Sequence, residues 1–198
     1  LEFRRVLFRS SGGNDVVIRV IPKYTLTVTT PSNGSVTSDI GGINCPGTCS
    51  ASFDENTTVN LTATPSTGYH FVNWTGASTS TSNPLSVTMS AAKTYTANFA
   101  PDQFSLTVNK TGTGSGTVTS VPSGINCGAT CTSNYDYNTQ VTLSANAQTG
   151  STFTGWSGGG CTGTGSCVVT ITAATTVTAN FTLNQYQLSV SKEIGRAH

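Results

Sequence analysis

Comparing the chain with itself gives one fixed offset, and that offset limits the possible folds more than any other feature. Ile43-Asn44-Cys45 returns as Ile125-Asn126-Cys127, and Cys49 returns as Cys131. Phe53-Asp54-x-Asn56 returns as Tyr135-Asp136-x-Asn138, and Val59-x-Leu61-x-Ala63 as Val141-x-Leu143-x-Ala145. Phe71, Trp74 and Gly76 return as Phe153, Trp156 and Gly158, and Ala97-Asn98-Phe99 as Ala179-Asn180-Phe181. Each pair is 82 residues apart (156 − 74 = 82). A chain that repeats itself at a fixed period builds one supersecondary unit several times over. The opening segment alone departs from the period: Leu26 and Val28 match Leu106 and Val108 at an offset of 80. The two extra residues therefore fall where Pro31-Ser32-Asn33-Gly34 faces Gly112-Thr113-Gly114-Ser115-Gly116. Gly-rich and Asn-Gly stretches between alternating runs are hairpin turns, which tolerate insertions as packed strands do not.

Within a unit the apolar residues alternate. Tyr24, Leu26 and Val28 face one way and Thr25, Thr27 and Thr29 the other. The same holds for Val59, Leu61 and Ala63, for Val87 and Met89, and for Tyr95, Ala97 and Phe99. A period of two predicts half-buried strands with one wet face. The expected fold class is all-β: tandem small units of antiparallel or mixed sheet, with five or six short strands each. Ser90-Ala91-Ala92-Lys93 is the one place where a helical turn is expected. The expected units are 24–103 and 104–185. Tyr186-Gln187-Leu188-Ser189-Val190 opens a third copy over 186–192, and 11–23 reads as a linker or the tail of a preceding copy.

The two ends of the chain have a different origin. Residues 3–10 can be encoded by TTC AGA CGT GTG CTC TTC CGA TCT. The reverse complement of that string, read from its third base, encodes Ile194-Gly195-Arg196-Ala197-His198. Its first two bases, AG, finish a Glu codon for Glu193. One oligonucleotide read on opposite strands, resembling a sequencing adapter, thus accounts for 1–10 and 193–198, which are expected to be artefact. With these ends removed, five basic and six acidic residues remain, a net charge of 5 − 6 = −1 rather than the +1 of the whole chain. No basic patch is left for nucleic-acid binding. No apolar run approaches the roughly 18 residues of a membrane-spanning helix, so no membrane insertion is expected. As a fragment, the chain's lack of a leader peptide carries no meaning.

Six cysteines in small Thr- and Gly-rich β units point to disulfides made in an oxidising compartment. Cys45 and Cys49 are spaced like Cys127 and Cys131, while Cys161 and Cys167 occur only in the second unit, where the first has Thr79 and Leu85. Joint presence and joint absence is what a bonded pair predicts. Zinc would call for closely spaced ligand pairs converging in one unit, and a redox site for Cys-x-x-Cys at a helix start. Neither pattern is present, and no metal or other cofactor is expected.

No catalytic residue stands out. His70 is the one histidine outside the ends, its counterpart is Thr152, and an exposed strand end is its expected place. Asp54 and Asp136, beside Asn56 and Asn138, read as turn-capping groups more readily than as a calcium site. Gly158-Gly159-Gly160 lacks the Lys and the helix of a phosphate-binding loop. Trp74 and Trp156 leave two readings open: central core residues, or exposed rings that stack on sugars.

With Tyr-x-Leu-x-Val, Gly-Ile-Asn-Cys, the Val-x-Leu-x-Ala strand, Phe-x-x-Trp-x-Gly and Ala-Asn-Phe in this order, residues 24–185 and the stub after them resemble the divergent internalin B-type, or bacterial, repeat domain. The resemblance implies a β-grasp-like fold and a bacterial secreted or cell-surface protein. It also implies non-catalytic units serving as structural spacers or adhesive elements, with a surface protein or polysaccharide as partner. The alternative is a carbohydrate-binding accessory module of a secreted hydrolase, using Trp74 and Trp156.

Overall fold

A computed structural model describes residues 2–9, 16–29 and 33–190. The chain divides into two compact units, 1–102 and 103–198, each with its own core.

The first unit runs through β1 (Glu2–Arg9), β2 (Val16–Thr29), β3 (Gly34–Ser38), β4 (Asn44–Cys45) and β5 (Ser50–Asp54). It continues with β6 (Thr58–Pro65), β7 (Tyr69–Gly76), β8 (Leu85–Thr88) and β9 (Lys93–Pro101). Its strands sort into two sheets. One is mixed and five-stranded: β2 and β9 lie side by side and parallel, β7 is antiparallel to β9, and β1 and β5 are both antiparallel to β2. The other is antiparallel, in the order β4-β3-β6-β8. The second unit repeats the plan with β10 (Gln103–Thr111), β11 (Gly116–Val121), β12 (Thr132–Asp136), β13 (Gln140–Ala147), β14 (Ser151–Ser157), β15 (Cys167–Thr170) and β16 (Thr175–Leu183). Its mixed sheet is β12-β10-β16-β14, with β10 parallel to β16, and its antiparallel sheet is β11-β13-β15. An isolated bridge between Thr119 and Asn126 stands where β4 pairs in the first unit.

Each unit is all-β, with a central parallel pair flanked by antiparallel strands in one sheet and a second, antiparallel sheet. No helix occurs among the described residues; the face a helix would cover is covered by the antiparallel sheet. The reason is visible in the sequence pattern. Val36, Val59, Leu61, Ala63, Leu85 and Val87 recur every second residue, the period of a strand, and all are buried. Opposite them stand Leu26 and Val28 of β2 with Tyr95 and Ala97 of β9, also buried. The two inner faces close one core of fifteen buried side chains in the first unit and sixteen in the second, few enough that each makes a large contribution. The outer face of the mixed sheet carries Thr25, Thr27, Thr29 and their neighbours, exposed or half-buried.

Several expectations need correction. From β2 onward the first unit has seven strands of four residues or more, as the second unit has, not five or six, because the short runs at Gly34–Ser38, Ser50–Asp54 and Leu85–Thr88 all find partners. Residues 90 and 91 form a bend, and Lys93 already belongs to β9; the Ser-Ala-Ala run is too short to offset the cost of starting a helix. Apart from these corrections, β2 begins at Val16 and runs without a break from the expected linker into the opening strand of the first unit, and its first half pairs antiparallel with β1, from Glu2↔Lys23 to Arg9↔Val16. Residues 10–15, the Pro31-Ser32 half of the first turn and 193–198 lie outside the described residues.

The spacing Phe-x-x-Trp breaks the period of two, and the fold accommodates it with a bulge. Pairing of β7 with β9 shifts between Phe71 and Asn73, and that of β14 with β16 between Phe153 and Gly155. The extra residue turns the strand so that two aromatics three apart reach the same side. Phe71 then meets Trp74 at 5.5 Å between ring centroids and Phe153 meets Trp156 at 4.9 Å. Gly34 and Gly116 complete the cluster. A Cβ at either would run into the ring of Phe99 or Phe181, so glycine is required for those rings to lie against the strand.

Candidate functional site

Three features recur in both units. The first is a tight loop closed by sulfur. In the first unit Asn44 and Thr48 exchange backbone hydrogen bonds at 2.8 Å each, and Cys45 is bonded to Cys49 with Cα atoms 4.5 Å apart. In the second unit Asn126 and Thr130 exchange the same bonds at 3.0 and 2.9 Å, and Cys127 is bonded to Cys131 at a Cα separation of 4.3 Å. The loop is tied down by a serine hydroxyl: Ile43 N–H donates to Ser38 Oγ at 3.0 Å, and Ile125 N–H to Ser120 Oγ at 2.9 Å. Ser38 and Ser120 also recur at 82 residues, a signal that the search for apolar and cysteine repeats passes over.

The second feature is the indole. Trp74 is fully buried and Trp156 is only 5% exposed, so neither offers a face on which a sugar ring could stack. Each N–H donates to a carbonyl in the loop that follows its strand: Trp74 Nε1 to Ser82 O at 3.0 Å, Trp156 Nε1 to Gly165 O at 2.7 Å. The two units hold that loop in different ways. In the first, the Asn83 side chain grips the backbone of Ala63, Oδ1 accepting from its N–H at 2.9 Å and Nδ2 donating to its carbonyl at 2.7 Å. In the second the counterpart of Asn83 is Gly165, and the loop is closed instead by the Cys161–Cys167 disulfide, Cα atoms 5.5 Å apart.

The third feature is the turn after β5 and β12. Thr57 N–H donates to Asp54 O at 3.1 Å and Thr139 N–H to Asp136 O at 3.0 Å. Asn56 and Asn138 sit at φ 63° and 66°, the left-handed region that asparagine tolerates better than most residues. The recurring Asp-x-Asn is thus explained by its asparagine as much as by its aspartate. The Asp136 carboxylate accepts from Gln103 Nε2 at 2.8 Å. Among the described residues, no group of three or more His, Cys, Asp or Glu stands close enough to hold a metal ion.

His70, exposed on β7, lies with Nδ1 2.9 Å from Asp102 Oδ1. The counterparts in the second unit keep the contact with different chemistry, Thr152 Oγ1 donating to Asn184 Oδ1 at 2.6 Å. A link that survives exchange of imidazole for hydroxyl does not depend on proton transfer. Asp39 Oδ1 accepts from the Asn60 N–H and Oδ2 from Asn60 Nδ2, both at 2.8 Å, and these hydrogen bonds hold its carboxyl below the ordinary value of 3.8. Two concavities in the second unit are small for ligand sites. One, of about 250 Å³, is lined by Lys110, Gly114, Ser115, Gly116, Gln148 and Phe181. The other, of about 210 Å³, is lined by Ser144, Ala145, Thr164, Gly165 and Ser166, where Asn83 sits in the first unit.

The features held in common are those of a repeat, and the family comparison agrees: the divergent InlB B-repeat domain matches residues 24–103 and again 106–185. The chain belongs to this family. No curated protein sequence matches it. Among solved structures, a minor pilin of Streptococcus agalactiae is similar over 85% of this chain and 100% of the pilin, at 10% identity and a TM-score of 0.32. A major pilin of Streptococcus pyogenes is similar over 82% of this chain and 97% of its own, at 9% identity and a TM-score of 0.34. Within each InlB B-repeat unit, the sequence motifs now have positions. Gly-Ile-Asn-Cys forms the sulfur-closed loop, Phe-x-x-Trp-x-Gly the bulged strand under the core, and Ala-Asn-Phe the closing strand beside the opening one.

Proposed function

We propose that the two units are non-catalytic structural spacers or adhesive units of a bacterial secreted or cell-surface protein. One observation carries the reading: the recurring residues are mostly those the fold itself needs. Ile43/Ile125, Cys45/Cys127, Phe53/Tyr135, Val59/Val141, Leu61/Leu143, Trp74/Trp156 and Ala97/Ala179 are all buried. Asn56/Asn138 supply a turn conformation. Many exposed positions drift, as His70 against Thr152 and Asp39 against Val121 show, and exposed ones that recur, such as Asn44/Asn126 and Thr48/Thr130, belong to the sulfur-closed loop. A shared catalytic or binding site would keep exposed groups and let parts of the core vary. Short-range disulfides fit the oxidising exterior of the cell. Residues 186–190 extend the array in this reading. Tyr186, Leu188 and Val190 are 84%, 85% and 82% exposed, whereas Leu106 and Val108, at the matching places of a complete unit, are 0% and 2% exposed. In this reading they stand where the opening strand of a further copy would begin, although they form no strand here.

The carbohydrate-binding alternative has no exposed indole to rest on. The test is retention of the oxidised whole chain on insoluble polysaccharides (cellulose, chitin and peptidoglycan). A spacer elutes with the void. Saturable retention on one polysaccharide would overturn the spacer reading and favour the accessory-module one.

A further inference from the structure

We infer that each unit is a shear clamp, built to stay folded when the chain is pulled from its two ends. The inference stands on strand pairing alone and does not depend on where the protein resides. In the second unit the strand that opens the unit and the strand that closes it are hydrogen-bonded neighbours in parallel, from Leu106↔Thr175 to Thr111↔Asn180. The first unit has the same arrangement, with β2 against β9 from Leu26↔Lys93 to Thr29↔Thr96.

The direction of the pair decides how tension acts. In a parallel pair the start of the first strand and the end of the last lie at opposite ends of the ladder. Tension therefore slides the two strands along each other, and every rung is strained at once. Had the pair been antiparallel, both points of pull would lie at one end and the rungs would open singly. Three further observations strengthen the clamp. Neither strand of the pair is at an edge: β5 and β7 flank one pair, β12 and β14 the other. The side chains beneath are core residues, Leu106, Val108, Val177 and Ala179 all being no more than 2% exposed, so sliding must also drag them through packed neighbours. Finally, the closing strand of the first unit ends at Pro101 and the opening strand of the second begins at Gln103, so tension reaches each clamp with little slack chain between.

The disulfides do not replace the clamp. They span four, four and six residues, none of them joining the opening strand to the closing one. They mark the units instead. Once its clamp yields, each unit releases roughly 20 nm of chain at about 3.5 Å per residue. Reduction frees the loops, adding about 1 nm to the first unit and about 2.5 nm to the second at that same rise per residue. The lengthening of a step on reduction thus identifies the unit that opened.

The experiment is single-molecule pulling of the whole chain in two geometries at one pulling speed. In the first, handles sit at the two termini. In the second, click handles replace the exposed residues Gln103 and Ala174, which lie at the same end of the β10–β16 pair, so that tension peels it. Forced unfolding reports the unfolding barrier rather than equilibrium stability, so both geometries are measured on the same Gln103- and Ala174-substituted chain, which lacks the Gln103–Asp136 hydrogen bond in either case. The clamp predicts that the step assigned to the second unit needs a several-fold higher force from the termini than by peeling. Equal forces in the two geometries, or an end-to-end step at the lower force, would overturn it.

Discussion

Replacing Trp74 with Ala removes the largest fully buried side chain of the first unit. Truncation of a buried aromatic costs about 3–5 kcal/mol. The Ser82 carbonyl also loses its indole partner, which adds about 1 kcal/mol. A unit of about 80 residues at the usual 0.05–0.15 kcal/mol per residue holds only about 4–12 kcal/mol in total. The variant's first unit should therefore be close to its folding threshold while the second, with a separate core, keeps its stability. The assay is a urea titration of the whole chain. In the variant Trp156 is the remaining indole, so fluorescence follows the second unit and far-ultraviolet circular dichroism follows both. With m near 1–3 kcal/mol per molar, the dichroism midpoint of the first unit should fall by about 1–6 M while the fluorescence midpoint stays in place. A first unit that stays within about 1 kcal/mol of the parent would refute the core role, given the magnitude expected for such a truncation.

Other expectations follow from individual contacts. Replacing Cys161 and Cys167 together with Ala should destabilise the second unit alone by about 2 kcal/mol, the value for so short a loop, in the same titration. Asn138→Gly should be nearly neutral and Asn138→Ala should cost about 1 kcal/mol, because a methyl group disfavours positive φ; thermal unfolding distinguishes them. Gly165→Asn should restore in the second unit the amide grip that Asn83 makes on Ala63, with nothing within 4 Å of the new Cβ, and raise stability by about 1 kcal/mol. Asp39 adds an acid sensitivity to the first unit. Its folded carboxyl binds protons more weakly than the unfolded one, so its contribution is complete above 3.8 and is lost as pH falls through the lowered folded value. Asp39→Asn should remove that component from the unfolding-midpoint against pH curve, and an unchanged curve would show that the Asn60 contacts do not act.

Much of a unit was legible before any coordinates. The offset of 82 located the units, and alternation identified which side chain of each strand faces the core, as Leu26, Val59, Leu61 and Tyr95 illustrate. The joint appearance of Cys161 and Cys167 pointed to their bond. What went unread was local chemistry that depends on a distant partner. The Phe-x-x-Trp spacing looks like an irregularity until the bulge against β9 explains it, and the indole's two readings separate only when the loop carbonyls of Ser82 and Gly165 come within reach. Ser38 and Ser120 looked like ordinary surface serines because nothing in their neighbours announces that they hold the loop to Ile43 and Ile125.

By itself, then, the sequence determined the unit, its strand-forming segments, its inward faces and the Cys161–Cys167 pair, since each of these is set by residues close together in the chain or by exact recurrence. Only the tertiary structure decided that β2 lies beside β9 and β10 beside β16, that each pair is parallel, and that the strands divide between two sheets. Period-two alternation assigns a side chain to a face but carries no record of which strand is its neighbour or which way that neighbour runs. That choice is made by the closure of the whole core, where strands about 70 residues apart meet, and it sets how the unit answers to tension.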